Sequence, residues 1–302
     1  MPESPSLSPG TGNAFTIKSM LVPLLRRPRI AQAIKWIVYG SLVINFGIYL
    51  FDDWTAFNSS LPADAPLADV LERFTTSVDM LAWLGLVFLF ELETYVLPDE
   101  AFKPWVIRAF LIARVVCYVS IFFAAYGYTA ETLENYDIVE VPGVSSLCQL
   151  ADQGRYVQVD SIEYVEISAQ NCASIASGSR FFQIANEVSV IDAPTLAHVQ
   201  WIGWVDVVNA VVWLIVVALI EIEVWLQTRD QFSSTLMQSI RQIKTLGYLV
   251  LSIDAVVWLV TGYPMYAWDS FLWIFGFWAI ELNLAEWELD RVAQLRAAAS
   301  AS

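Results

Sequence analysis

The chain has 302 residues, of which 57% are hydrophobic and 14% aromatic, and its formal net charge at pH 7 is −15. The mean hydropathy of +0.54 is far above that of an ordinary soluble domain, so the composition excludes a simple globular protein and indicates lipid as the main solvent. The acidic balance also excludes nucleic acid as a partner, because the chain and the phosphates would repel each other.

Six apolar runs predict transmembrane helices, since about 20 apolar residues cross a hydrocarbon layer about 30 Å thick. The runs cover residues 34–52, 77–98, 105–127, 201–227, 244–263 and 269–289. The predicted domains are a cytoplasmic tail with an interfacial segment at 1–33, transmembrane helices 1–3 within 34–128, an acidic extracytoplasmic domain at 129–199, transmembrane helices 4–6 within 200–291, and a cytoplasmic tail at 292–302.

The basic residues predict the orientation. With the N-terminus in the cytoplasm, twelve Lys and Arg residues fall in inside segments, and only Arg73, Arg155 and Arg180 fall outside. This positive-inside bias places both termini in the cytoplasm and residues 129–199 outside. No targeting signal or cleavage pattern is evident, so we expect the first helix to remain as an anchor in a bacterial inner membrane.

The outer segment contains Cys148 and Cys172, and an oxidising compartment favours a disulfide between them over two free buried thiols. The stretch "RYVQVDSIEYVEIS" alternates apolar and polar residues, as half-buried strands do. We therefore predict a small β-containing domain. Its acidic surface either attracts cations or a basic partner, or is simply a solvated face.

An internal repeat is the most informative feature. Aligned without gaps, "DMLAWLGLVFLFELETY", "NAVVWLIVVALIEIEVW" and "DSFLWIFGFWAIELNLA" agree at four positions. We name these the acid–amide column (Asp79, Asn209, Asp269), the tryptophan column (Trp83, Trp213, Trp273), the first glutamate column (Glu91, Glu221, Glu281) and the second glutamate column (Glu93, Glu223, Asn283).

The predicted fold class follows from this repeat. We expect an all-α polytopic membrane protein whose six transmembrane helices form three pseudo-repeated hairpins of identical orientation around an axis along the membrane normal. The small β-containing extracytoplasmic domain is inserted between helices 3 and 4.

The first glutamate column is the predicted ion or proton site. Ionisable groups within a span usually face the bundle interior, pair with one another and mark ion pathways. Glu91 precedes Pro98 by seven residues, about 10 Å of helix, and Arg114 is expected near the same depth. We predict that Glu91, Glu221 and Glu281 exchange protons or coordinate a cation while Arg114 supplies a fixed counter-charge.

Other polar positions in the spans have a functional and a structural interpretation. Glu93 and Glu223 are secondary acidic positions that either join the site or form ion pairs between hairpins. Asp254 and Asn45 either line a path or form satisfied interhelical hydrogen bonds. The tryptophan column is predicted to pack between helices, with contact to a ligand as the alternative, and the acid–amide column is predicted to cap helix N-termini.

No catalytic motif is present in the sequence. The single histidine, His198, has no His or Cys cluster around it in sequence, and there is no Gly-rich phosphate loop or nucleophile elbow. We therefore expect a protein that is not an enzyme and has no cofactor, while the identity of any metal ion at the acidic site stays open.

Two functions fit the sequence. One is cation or proton movement through, or binding at, the acidic cluster. The other is a non-transporting accessory or scaffold subunit that docks a partner through the outer domain and whose carboxylates only hold the helices together. The expected partners are membrane lipid and either another protein or a second copy of the chain.

Overall fold

The computed structural model describes residues 28–97, 103–175, 178–185, 187–228 and 234–277. It comprises two compact units, Met1–Val43 and Ile44–Ser302. In the described part of the first unit, the Lys35 ammonium lies 5.8 Å from the centroid of the Tyr39 ring. The remainder of the described chain, including all of the sheet and the cavity discussed below, belongs to the second unit.

Long helices make up most of the described chain. They are α1 (Pro28–Ser60), α2 (Leu67–Arg73), α3 (Thr75–Glu91) with a π-helical turn at Leu92–Val96, α4 (Pro104–Glu134), α5 (Ala193–Thr228) and α6 (Ser234–Thr261). Residues 264–277 are also helical.

The helices confirm a membrane protein but not the count of six spans. Four described helices are long and apolar enough to cross a membrane, or five if α2 and α3, which meet at a 64° bend, form one broken span. The predicted sixth run, 269–289, lies mostly outside the described residues.

The sheet is small and mixed. Its strands are β1 (Ile138–Glu140), β2 (Tyr156–Gln158), β3 (Tyr164–Glu166), β4 (Phe181–Ile184) and β5 (Val190–Asp192). Their order is β1-β4-β5-β2-β3, and every pair is antiparallel except β2 with β5. The alternating stretch noted in the sequence thus forms β2 and β3, as predicted. We call residues 138–192 the sheet domain.

The disulfide between Cys148 and Cys172 is confirmed. It closes a loop with a sequence separation of 24 residues beside a core that contains Leu147, Val157 and Phe181. A sheet domain of this size buries little apolar surface, so the cross-link compensates by limiting the freedom of the unfolded chain. The disulfide also indicates an oxidising compartment.

Asp192 connects the sheet domain rigidly to the helices. It is the last residue of β5, and its Oδ1 accepts a hydrogen bond at 3.0 Å from the backbone N–H of Thr195, in the first turn of α5. Asp is a favoured residue at this capping position because its carboxylate satisfies a free N–H of the first turn. The chain therefore passes from sheet to helix without a flexible linker.

Helices α3, α4 and α5 pack in sequence order and approach closely at their ends nearest the sheet domain, which we call the sheet end. A Cβ atom on Gly127 of α4 would lie 2.3 Å from Thr75 Oγ1 of α3, and one on Gly203 of α5 would lie 2.7 Å from Thr132 Oγ1 of α4. Glycine permits these contacts, as small residues do between membrane helices. This close packing surrounds the cavity described next.

Candidate functional site

A cavity of about 160 Å³ lies among the helices at the sheet end. Its lining comes from α1 to α5, from Trp258 of α6, from the helical residues 264–277, and from Ser161 and Ile162 of the sheet domain. Ser161 is held there because its backbone N–H and its hydroxyl lie 3.3 Å and 3.0 Å from the Tyr263 hydroxyl oxygen. The sheet domain therefore completes the wall of the cavity.

The tryptophan column forms the floor of this cavity. The ring centroid of Trp83 lies 6.0 Å from that of Trp213 and 5.8 Å from that of Trp273. Phe277 joins the group with its centroid 5.2 Å from that of Trp213. These rings lie about one turn farther from the sheet domain than the acid–amide column, so they form the floor. The tryptophans thus pack against one another between helices, as predicted, and they also line the cavity.

Seven carboxylates line the cavity. They belong to Asp52, Asp53, Glu72, Asp79, Glu131, Asp206 and Asp269. Arg73 is the only Lys or Arg among the lining residues in the described chain. Its guanidinium forms ion pairs with Glu131, at 3.2 Å, and with Glu187 of the sheet domain. The other six carboxylates have no Lys or Arg within ion-pair distance in the described ranges.

The Arg73 pairs fasten the sheet domain to α2 and α4. Arg73 Nη1 also lies 3.4 Å from the hydroxyl of Tyr164 in β3. Burial, together with the nearby carboxylate of Glu187, raises the pKa of the Tyr164 phenol well above its ordinary value. The hydroxyl therefore stays neutral, and the single guanidinium charge of Arg73 is already matched by the carboxylates of Glu131 and Glu187.

Indole N–H groups orient two of the unpaired carboxylates. Trp83 Nε1 donates to Asp79 Oδ1 at 3.0 Å, within α3, and Trp258 Nε1 donates to Asp206 Oδ1 at 3.0 Å, across helices. The second oxygen of Asp79 lies 3.5 Å from the Tyr128 hydroxyl. These neutral donors hold the side chains in place without supplying a compensating charge.

Amide and hydroxyl donors act in the same way on two further carboxylates. Asn45 Nδ2 donates to Asp269 Oδ1 at 2.6 Å, so Asn45 forms the interhelical hydrogen bond that was one of its two predicted roles. The backbone N–H and the hydroxyl of Ser77 donate to Asp53 Oδ2 at 2.9 Å and 2.6 Å. The acidic residues are thus fixed in position by hydrogen bonds from several helices.

The helix-cap assignment of the acid–amide column is wrong. Asp79 is the fifth residue of α3, Asn209 lies well inside α5, and Asp269 lies inside the helical residues 264–277. At these positions the backbone N–H groups are already used by the helix, so the side chains have nothing to cap. They line the cavity instead.

Two buried polar atoms of the lining have no hydrogen-bond partner in the described chain. They are Glu72 Oε1 and Asn209 Nδ2. An unsatisfied buried polar group costs about 1–3 kcal/mol, which natural proteins accept mainly where function requires it. The Asn209 side chain lies beside Asp254, so Glu72 Oε1 is the atom suited to bind a polar group that enters the cavity.

The two described members of the first glutamate column, Glu91 and Glu221, lie outside this lining. Glu91 is half-buried at the end of α3, the carboxylate of Glu221 accepts a hydrogen bond from Tyr118 Oη at 2.5 Å, and Glu281 lies outside the described residues. Arg114 forms an ion pair of 2.6 Å with Glu93, and its predicted pairing with Glu281 falls outside the described residues. Glu93 lies about 200° around the helix from Glu91, on the side that reaches α4.

The two described members of the second glutamate column, Glu93 and Glu223, hold helices together. Besides the Glu93–Arg114 pair, Glu223 of α5 forms an ion pair of 2.5 Å with the buried Lys244 of α6. The contacts therefore support the structural interpretation, in which Glu93 and Glu223 form ion pairs between helices. Asp254 is buried in α6, does not line the cavity, and has one oxygen without a hydrogen-bond partner in the described chain.

The described residues contain no group of three or more His, Cys, Asp or Glu side chains arranged to hold a metal ion. His198 stacks on Tyr263, with ring centroids 6.0 Å apart and planes inclined by 9°. The carboxylates of the cavity therefore surround a space rather than converge on one point.

The sequence contained a signal for part of this site. In each repeat an acid or amide precedes a tryptophan by four residues, which places both on one helix face. The other acidic residues of the lining, such as Asp53 and Asp206, carry no comparable pattern. They were missed because only the packing of distant helices shows that they share a cavity.

The fold and the site define a polytopic, mostly helical membrane protein with buried charged residues and a disulfide-bonded sheet domain in an oxidising compartment. The chain matches no protein-family model, no curated protein and no solved structure. Its function is therefore argued from the geometry of its own cavity.

Proposed function

We propose that the protein binds a cation in this cavity and that binding is a step in moving cations or protons across the membrane. The observation that carries the proposal is the set of six lining carboxylates with no basic partner in the described chain. Where water is scarce, carboxylates attract a cation far more strongly than at an exposed surface. Negative charge inside a span is costly unless a bound proton or another cation compensates it.

Six spans in three pseudo-repeated hairpins are part of the proposal. Its support is that Trp83, Trp213 and Trp273, one from each proposed hairpin, meet at one place. We further propose a bacterial inner membrane with both termini in the cytoplasm. The disulfide supports the outward position of the sheet domain, because thiols remain reduced in the cytoplasm.

The first glutamate column would provide a second acidic level beyond the tryptophan floor. A cation that leaves the cavity in that direction has to pass between Trp83, Trp213 and Trp273, so passage requires these rings to move apart. No catalytic step and no cofactor enter this proposal.

The test is cation flux in liposomes that contain the purified full-length chain, with protons, Na⁺, K⁺, Ca²⁺ and an organic ammonium ion as candidates. We expect wild-type flux to be abolished by the double change Asp79→Asn and Asp269→Asn. The exposed Glu140→Gln change in the sheet domain is the matched control and should leave flux intact. The triple change Glu91→Gln, Glu221→Gln and Glu281→Gln tests the second acidic level.

Calorimetry on the same preparations separates binding from movement. Wild-type protein that neither binds nor moves any of these cations would refute the proposal. Cation binding without cation flux would support the proposed binding site and refute the proposed transport step.

The second candidate function, docking of a partner by a scaffold subunit, is favoured by one observation. Strand β1 is at the edge of the sheet and exposes 65% of Val139, and the nearby Tyr136 is 52% exposed. Edge strands with exposed apolar side chains are common docking sites for another strand. If docking is the function, Val139→Lys should abolish a cross-linked complex in membranes and leave cation binding unchanged.

A further inference from the structure

We infer that the ligand of the cavity is a compact organic ammonium ion rather than an inorganic cation. This inference rests on the proposed cation-binding function and specifies its chemistry. It draws on the volume, the aromatic walls and the arrangement of charge in the cavity.

The volume suits a small organic molecule. A cavity of about 150 Å³ is known to hold benzene, and a water molecule takes up about 30 Å³ of liquid volume. The present cavity, at about 160 Å³, therefore has room for a ligand of about five to seven non-hydrogen atoms or about five waters. A metal ion would fill this space only together with several waters.

The walls are rich in aromatic rings. Four indoles, three phenols and one phenyl ring line the cavity, from Trp83, Trp213, Trp258, Trp273, Tyr49, Tyr128, Tyr266 and Phe277. The Trp83 ring is inclined by 61° to that of Trp213 and by 52° to that of Trp273, so the three indoles are not stacked flat on one another. Cavities lined by several aromatic rings bind organic ammonium ions, because ring faces attract positive charge spread over alkyl groups.

The charge in the cavity is dispersed. Calcium requires six to eight oxygen ligands at about 2.3–2.6 Å, and magnesium requires an octahedral set at about 2.0–2.1 Å. In the described residues no three acidic side chains are arranged in that way. Asp79, Asp206 and Asp269 are each held by a donor from Trp83, Trp258 or Asn45, which opposes their collapse onto a small ion. A bulky ammonium ion needs only negative potential around it.

One further atom fits the same class of ligand. Glu72 Oε1 is a buried carboxylate oxygen of the lining without a hydrogen-bond partner in the described chain. It is available to accept a hydrogen bond from an N–H or O–H group of the ligand. The cavity therefore offers both a surface for the alkyl groups and an acceptor for a polar end.

The test uses choline as the probe and 3,3-dimethylbutan-1-ol, its neutral isostere, as the matched control ligand. Titration calorimetry on the full chain in lipid nanodiscs should show choline binding, no binding of the isostere, and no displacement of choline by Na⁺, K⁺, Mg²⁺ or Ca²⁺ at equal concentration. Trp213→Leu should weaken choline binding about tenfold and Trp213→Phe by less, because leucine fills space without a ring face. Trp213 is chosen because no hydrogen bond to a cavity carboxylate depends on it in the described chain.

The controls separate this inference from the proposed function. Trp54→Leu, at a 56% exposed residue outside the lining, should leave choline affinity unchanged. Binding of inorganic cations but not of choline would refute the inference and keep the proposed function. Equal binding of choline and its isostere, or equal affinity in wild-type and Trp213→Leu proteins that both fold, would also refute the inference. Absence of binding by every cation would refute both.

Discussion

The helices carry acidic residues at two levels, one at the sheet end and one at the far end. The two levels differ in the groups that contact each carboxylate. At the sheet end, Asp79 and Asp206 accept hydrogen bonds from indole N–H groups and have no basic partner in the described chain. At the far end, Glu93 and Glu223 of the second glutamate column are paired with Arg114 and Lys244, whereas Glu221 of the first column accepts a hydrogen bond from Tyr118. A carboxylate with a fixed counter-charge holds helices together, whereas one held only by neutral donors is left to take up a proton or another cation. The partners of the carboxylates, rather than their number, indicate the binding site.

The largest effect is expected from breaking the buried pair at the far end. Lys244→Met leaves the Glu223 carboxylate buried without its partner, which should destabilise the protein by about 3 kcal/mol or more. The measurement is the thermal unfolding midpoint in detergent. Adding Glu223→Gln to this variant should recover most of the loss, and a single variant as stable as wild type would contradict the assignment.

Replacing a carboxylate with an amide should have opposite effects on the stability of the protein at the two levels. In buffer without a cation ligand, Glu223→Gln should lower the unfolding midpoint, because it removes one partner of a pair. Asp79→Asn should raise it by the equivalent of about 1 kcal/mol, since it removes an uncompensated charge and keeps an acceptor for Trp83 Nε1. A saturating cation should then stabilise wild type and not Asp79→Asn. If both changes shifted the unfolding midpoint in the same direction, the distinction between the two levels would be wrong.

A smaller effect is expected at Glu221. Tyr118→Phe removes the 2.5 Å hydrogen bond to the Glu221 carboxylate and should cost about 1 kcal/mol of stability. Cation binding in the cavity should not change, because neither residue lines it. Loss of binding in this variant would mean that the two levels are coupled.

The smallest equilibrium effect is expected where the sheet domain covers the cavity. Tyr263→Phe removes the hydroxyl that holds Ser161, which should cost less than about 1 kcal/mol in stability. It should nevertheless speed ligand dissociation about threefold, measured by stopped-flow, since the cover opens more readily. Unchanged dissociation would show that ligands enter by another route.

Much of the coarse fold was predictable because it depends on local patterns. Apolar runs of about 20 residues predicted α4 and α5, and period-two alternation predicted β2 and β3. The cysteine pairing followed from the predicted outer position of Cys148 and Cys172. The helix-cap role of Asp79 was mispredicted because the sequence did not show that α3 begins four residues earlier, at Thr75.

The sequence by itself determined that lipid is the main solvent, where the long apolar helices lie, which cysteines pair and which positions repeat. Composition and periodicity are properties of contiguous stretches, so they can be read without the tertiary structure. Only the tertiary structure decided which carboxylates are paired and which surround a cavity. Glu93 and Asp79 are fourteen positions apart in one chain segment, yet one meets Arg114 and the other meets an indole. Asn45 and Asp269 are separated by 224 positions and share a hydrogen bond. Charge compensation in a membrane depends on such distant neighbours, which packing alone brings together.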